Sequence, residues 1–167
     1  MVKSLNAVQP HDWAKFLHAR LDAVGEQAPL DGIARGGYKL VYNDTPSDFF
    51  KAAETRRKIT DLTYSLGLVI GREARLTDVL WEGPAYQAGL VVGTQIVAVN
   101  NVAFDADRMK TIVKESKNVV EPIGLIVKNG DRYRTIRLDY HEGLRYPHLE
   151  RSGDAAASLD AILTARN

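Results

Sequence analysis

Residues 83–100 constrain this chain more than any other stretch. They read Gly83-Pro84-Ala85-x-x-Ala88-Gly89-Leu90-x-x-Gly93-x-x-Ile96-x-x-Val99-Asn100. Pro84 suits the first position of a one-turn helix, where its missing N–H is no loss. Gly89 falls where that helix needs a left-handed residue to stop. Ile96 to Val99 then reads as a strand, turning at Asn100-Asn101 into Val102-Ala103-Phe104. Asparagine tolerates positive φ better than other non-glycine residues, so a tight turn fits there. Leu66 to Ile70, apolar around Gly67, and Leu76 to Trp81 read as two earlier strands. Asp105 is placed to cap a helix over residues 105–117 with Met109, Ile112 and Val113 on one face. Ile123 to Val127 and Tyr133 to Leu138 alternate on either side of Asn129-Gly130, the strongest short-range hairpin signal in the chain.

The flanks have a different texture. Residues 11–24 place Trp13, Phe16, Leu17, Leu21 and Val24 at helical spacing, with Asp12 as N-cap and Gly25 as stop. Residues 29–37 are turn-rich, Tyr38 to Tyr42 alternate as a short strand, and 47–58 read as a charged helix. A boundary is expected near residue 60. From His141 onward the chain is polar and less periodic, with a final helix expected over 155–165. The reading divides the chain into an extension (1–60), a strand-rich domain (61–140) and a tail (141–167).

The 167 residues suffice for one domain with added elements, or one domain plus a fragment of another, and need no disulfide or metal to fold. Twenty-two basic residues against 21 acidic give a net charge of +1, which supplies no drive toward nucleic acid or anionic membrane. Arg56-Arg57-Lys58 reads as a solvated face or linker. There is no cysteine, which excludes thiolate chemistry and is compatible with cytoplasm or periplasm. No stretch approaches the ~18–20 apolar residues that span a bilayer. Residues 1–8 are too short and mixed for a signal peptide and run into a helical pattern, as in a piece cut from a longer protein.

The run at 83–100, with Tyr64-Ser65-Leu66-Gly67-Leu68-Val69-Ile70 ahead of it, resembles the PDZ family, especially bacterial protease-associated PDZ domains. Thr94 stands where that family usually has Asp, and Asn101 where it usually has Gly. The resemblance implies an α+β fold: a partly open β-barrel or sandwich of five to six short strands flanked by two helices, here with an N-terminal helical and strand extension and a C-terminal helical tail. In such a module a loop ending in Leu66-Gly67-Leu68 offers N–H donors to a peptide carboxylate, since Gly67 has no Cβ to block approach. Leu68 to Ile70 is expected to present a free edge for an extended ligand. The expected peptide-binding residues are therefore Ser65, Leu66, Gly67, Leu68, Val69 and Ile70, with Met109 and Ile112 lining a pocket and Arg108 on its rim. Met109, Ile112 and Val113 read equally well as plain core.

The flanks narrow the resemblance. Asp12-Trp13-x-x-Phe16-Leu17, Tyr38-Lys39-Leu40-Val41-Tyr42, Asp61-Leu62-Thr63-Tyr64-Ser65-Leu66-Gly67-Leu68 and Leu138-Asp139-Tyr140-His141-x-Gly143-Leu144-Arg145-Tyr146-Pro147-His148-Leu149-Glu150-Arg151 are similar to the C-terminal region of the glycyl aminopeptidase family. Those are zinc metallopeptidases with a PDZ domain after a thermolysin-like catalytic domain. The resemblance implies a parent enzyme that trims peptides, with zinc held in its catalytic domain and no cofactor here. The chain itself has no His-Glu-x-x-His, whose two histidines bind zinc while the Glu activates water. His11 and His18 are seven residues apart, and His141-Glu142 is followed by Leu144-Arg145. Asp139, His141, Glu142, His148 and Glu150 form a loose cluster that reads as a packing surface against a neighbouring domain rather than a metal site. There is no Gly-x-Ser-x-Gly, and Gly32, Gly36 and Gly37 lack the strand–loop–helix frame of a nucleotide site.

The expectation is a non-catalytic PDZ module that binds extended peptides or protein C-termini by β-augmentation. The alternatives are a docking or dimerisation domain whose groove is occluded, and a free-standing adaptor. The expected partners are peptides, the parent's catalytic domain and, through an exposed strand edge, a second copy.

Overall fold

Local chemistry sets the boundaries of most elements. In the computed structural model residues 1–23, 28, 30–153 and 158–164 are described, so Val24, Gly25 and both ends of the expected helix over 155–165 lie outside the described residues. The chain divides into two units, Met1–Gly32 and Ile33–Asn167.

In the first unit, helix α1 (Val2–Val8) is followed by α2 (Trp13–Leu21), whose N-cap Asp12 accepts the Lys15 N–H at 3.0 Å. Trp13 donates its indole N–H to Gln9 O at 2.8 Å and meets Phe16 edge-on. Helix α1 was not among the expected elements. Trp13, Phe16 and Leu17 of the expected apolar face are half-buried, whereas Leu21 is exposed.

The division falls in the turn-rich region, within the single helical turn Asp31–Arg35 (α3). Strand β1 (Tyr38–Asn43) follows, then helix α4 (Asp48–Arg57), capped by Ser47, whose Oγ accepts the Phe50 N–H at 3.2 Å. Lys58, with φ 54°, ends α4 in the left-handed region. Strands β2 (Thr60–Leu62), β3 (Leu68–Ile70) and β4 (Leu76–Val79) lead to the one-turn helix α5 (Pro84–Gln87), with Pro84 at its start and Gly89 at φ 80° beyond its end. Then come β5 (Gln95–Val99), a turn in which Asn100 and Asn101 both have positive φ, and β6 (Val102–Ala103). Helix α6 (Ala106–Glu115) is capped by Asp105, whose carboxylate accepts the Arg108 N–H at 2.9 Å. Strands β7 (Ile123–Asn129) and β8 (Arg132–Leu138) form the expected hairpin with Gly130 at φ 62°, and β9 (Tyr146–Arg151) and α7 (Ser158–Leu163) complete the chain.

The architecture is α+β with open sheets: β1-β9, β2-β3-β4 and β6-β5-β7-β8, all antiparallel. The two helices expected of the strand-rich domain, α5 and α6, fall in the expected order between its strands. Leu62, Leu66, Leu68, Ile70, Leu76, Leu90, Ile96, Met109, Val113, Leu125 and Leu138 form its buried centre. Strand β9 corrects the reading of the tail as irregular. Its register, from Tyr38 opposite Arg151 to Asn43 opposite Tyr146, joins the two ends of the unit. The tail is also held from within: Arg145 N–H reaches Ser65 Oγ at 3.0 Å, and Tyr146 meets Phe50 edge-on at 5.0 Å.

The largest correction concerns β3. It has no free edge, because β4 pairs with one side and β2 with the other. Residue 60, where a boundary was expected, is the first residue of β2, a strand too short to show as a periodic signal.

Candidate functional site

The expected peptide groove is the space beside β3 facing α6, and the chain's own β2 is paired there. The register is Thr60 opposite Ile70, Asp61 opposite Val69 and Leu62 opposite Leu68. In an antiparallel ladder alternate residues turn their backbone groups toward the partner. Asp61 gives its N–H to Glu54 Oε1 at 2.8 Å, so it faces away from β3. Thr60 and Leu62 are therefore the residues turned toward β3, opposite Ile70 and Leu68. Their side chains, 8% and 1% exposed, point into the core with Leu68 and Ile70, while Asp61 and Val69 share the opposite face.

The loop from Thr63 to Gly67 is occupied by the same segment. Leu62 carbonyl accepts two N–H groups, from Ser65 at 3.1 Å and Gly67 at 3.1 Å. Leu66 carbonyl accepts the Ala85 N–H at 2.9 Å, and Gly67 carbonyl the Leu80 N–H at 2.7 Å. Gly67 has φ +71°, and a Cβ there would come within 3.3 Å of both Gly83 Cα and Leu80 Cβ. Gly67 was expected to admit a ligand; its missing Cβ instead admits the chain's own 80–83 segment.

The other expected residues have separate places. Met109 is fully buried and belongs to the core, as Val113 does. Ile112 is half-buried and lines a cavity of about 190 Å³ with Glu115, Ser116, Val119, Pro122 and Ile123, none of them on β3. Arg108 is exposed and donates to Ala103 carbonyl at 2.7 Å. Ser65 is buried and bridges to the tail through Arg145 N–H. Beside it Tyr140 donates its hydroxyl to Gly143 carbonyl at 2.7 Å, and burial pushes that phenol up to about 12.

Glu54 is the residue the sequence reading missed. One carboxylate oxygen accepts the outward N–H of β2 and the other meets Lys110 Nζ of α6 at 2.6 Å, with the Glu54 side chain only 11% exposed. A single side chain thus ties β2 to the helix across the groove. Nothing local in the sequence marks it, since residues 54 and 110 are 56 positions apart and sit in ordinary charged helices. A second, more exposed pair, Lys114 with Asp44 at 3.1 Å, holds Asp44 below the usual carboxylate range.

Among the described residues no three His, Asp or Glu side chains are grouped to hold a metal. His141 lies between Val119 carbonyl and Asp139, each at 2.8 Å, and His148 meets Thr45 carbonyl at 2.7 Å. Glu142 pairs with Arg145, and Glu150 with Lys39.

No protein-family model matches the chain, and no curated protein matches it. Among solved structures it is similar to an aminopeptidase N family protein from Idiomarina loihiensis, at 16% identity and a TM-score of 0.57 over 90% of this chain. The chain spans 26% of the length of that protein, and the likeness is one of fold. The HtrA3 PDZ domain, crystallised with a phage-derived ligand, also matches, at 12% identity and a TM-score of 0.32 over 68% of this chain and 92% of that one.

Proposed function

We propose that this chain is a non-catalytic, PDZ-like docking module of a larger zinc aminopeptidase, with its peptide groove closed in cis by Thr60–Leu62. The observation that carries the closed-groove reading is the position of β3 between β2 and β4. An edge already paired has no unbonded N–H and C=O row to offer an extended ligand. The link to a glycyl aminopeptidase-like parent is supported by the Tyr64-Ser65-Leu66-Gly67-Leu68 and Tyr146-Pro147-His148-Leu149-Glu150-Arg151 segments. In this reading zinc and the hydrolytic groups belong to another part of the parent, and this module holds or orients that part.

Titrating the ¹⁵N-labelled chain with short free-carboxylate peptides tests the closed groove. The amides of Leu68 and Ile70 are expected to stay unshifted into the millimolar range. Saturable shifts centred on those two amides at micromolar peptide would show an open groove instead. The parent is tested by the reading frame upstream of Met1, which is expected to encode a His-Glu-x-x-His helix.

A further inference from the structure

We propose that the outer edge of β1 is a dimer interface, at which Tyr38, Leu40 and Tyr42 pair antiparallel with the same residues of a second copy of this chain. β1 and β9 form a sheet of two strands, so each has one side bonded and one side open. The Ser152 N–H donates to Gly37 carbonyl at 2.9 Å, which fixes the parity of the ladder. Alternate residues face the partner strand, so Lys39, Val41 and Asn43 bond to β9 while Tyr38, Leu40 and Tyr42 turn their N–H and C=O groups outward. Among the described residues no hydrogen bond reaches those outward groups. Just ahead of them the Gly36 carbonyl is taken by the Leu159 N–H at 3.3 Å, so the open row begins at Tyr38.

Other edges of the molecule are answered. Pro147, which has no N–H to offer, stands on the outer side of β9, and Glu54 takes the outward N–H of β2. The outward row of β1 carries neither charge nor proline. The occupant that matches it is the row itself. With Leu40 opposite Leu40 of the second copy, Tyr38 falls opposite Tyr42, because Tyr-x-Leu-x-Tyr reads the same in both directions. Each of these residues then exchanges its N–H and C=O with its counterpart, and aromatic meets aromatic across the joint, a favourable cross-strand pair. Charge agrees with this register: Lys39, held by Glu150 at 3.1 Å, falls opposite Val41, so no like charges face each other. One patch used by both copies closes on a two-fold axis. The joined sheet, in the order β9-β1-β1-β9, ends on strands that carry Pro147 and resist further growth. A strand pair this short buries less than a standard interface, so the association is weak and concentration-dependent.

The test follows the full chain by sedimentation equilibrium over a rising concentration series. The mass is expected to climb from 18.5 kDa toward twice that value and to level there. Leu40→Pro removes the central outward N–H and leaves the bonds to β9 in place, as an edge strand tolerates. Tyr42→Arg, at an exposed position, sets a cation opposite Tyr38 of the second copy, whose ring already lies under Arg151 at 5.8 Å. Each is expected to weaken association at least tenfold, and Tyr42→Arg keeps the test decisive where Leu40→Pro fails to fold. The register is read by a nuclear Overhauser cross-peak between the Hα atoms of Lys39 and Val41. Those residues are about 6.5 Å apart along one strand, too far for a strong peak, but face each other as a non-hydrogen-bonded pair across the joint. The peak is expected at concentrations where the dimer forms and is expected to vanish in Tyr42→Arg. A mass of 18.5 kDa at every concentration would overturn the proposal and leave the edge to a strand of another protein. A dimer without the cross-peak, a dimer that Tyr42→Arg leaves intact, or growth past twice the monomer mass would overturn it as well.

Discussion

Strands β3 and β8 meet the same physical problem in opposite ways. A strand with one unpaired side offers its backbone to any passing chain, and proteins either cover such an edge or make it unattractive. β3 is covered: all three of its residues are buried, and both neighbours come from the same chain. β8 is left at the margin of the β6-β5-β7-β8 sheet, and three of its five exposed positions are Arg132, Arg134 and Arg137, the others being Tyr133 and Thr135. Burial makes the first edge part of the core, so changes there act on stability. Charge guards the second, so changes there act on association.

Truncation in β2 breaks the comparison most sharply. Leu62→Ala removes a fully buried side chain and is expected to cost about 2–5 kcal/mol in urea unfolding, whereas Arg134→Ala on β8 is expected to stay within about 0.5 kcal/mol. Gly67→Ala forces a side chain into the left-handed region and against Gly83 and Leu80, for an expected loss of about 1–3 kcal/mol. Replacing Arg132, Arg134 and Arg137 together by threonine is expected to leave the melting temperature nearly unchanged. It is expected to produce concentration-dependent association by light scattering, in excess of the wild type's at the same concentration.

The smallest effect lies just beyond the end of β8. His141 bridges Val119 carbonyl and Asp139, and the Asp139 carboxylate holds its pKa above the ordinary histidine value. A raised folded-state pKa gives stability that is fully present below the unfolded value of about 6.5 and is lost as pH rises through the folded value. The wild type is therefore expected to lose slightly more stability between pH 6 and 8 than His141→Asn, measured by urea unfolding across that range.

The legible parts of this fold are those in which local chemistry and tertiary context agree. Pro84 and Gly89 bracket α5, Asp12 and Asp105 cap their helices, and Gly130 turns the β7–β8 hairpin, each by a residue whose conformational preference is intrinsic. β2 and β9 were not legible because each owes its existence to a partner distant in sequence or across a short loop. β9 pairs with residues more than 100 positions away, and its polar side chains show no alternation of a half-buried strand. β2 has only three residues, below the length at which a period of two can be counted. Of the expected site, the loop ending in Leu66-Gly67-Leu68 was expected to offer its N–H groups to a ligand carboxylate, whereas the Ser65 and Gly67 N–H groups go to Leu62 carbonyl. That acceptor was not legible, because the resemblance that located the loop also implied an open edge beside it.

The central claim is that Thr60–Leu62 lies paired in the groove, and one nuclear Overhauser measurement tests it directly. Asp61 and Val69 form a pair that does not exchange hydrogen bonds, which in an antiparallel ladder brings the two Cα atoms to about 4.5 Å. A strong Hα–Hα cross-peak between Asp61 and Val69 is the result the account predicts. Its absence, with the β7–β8 cross-strand peaks present in the same spectrum, would contradict it and leave β3 with an open edge.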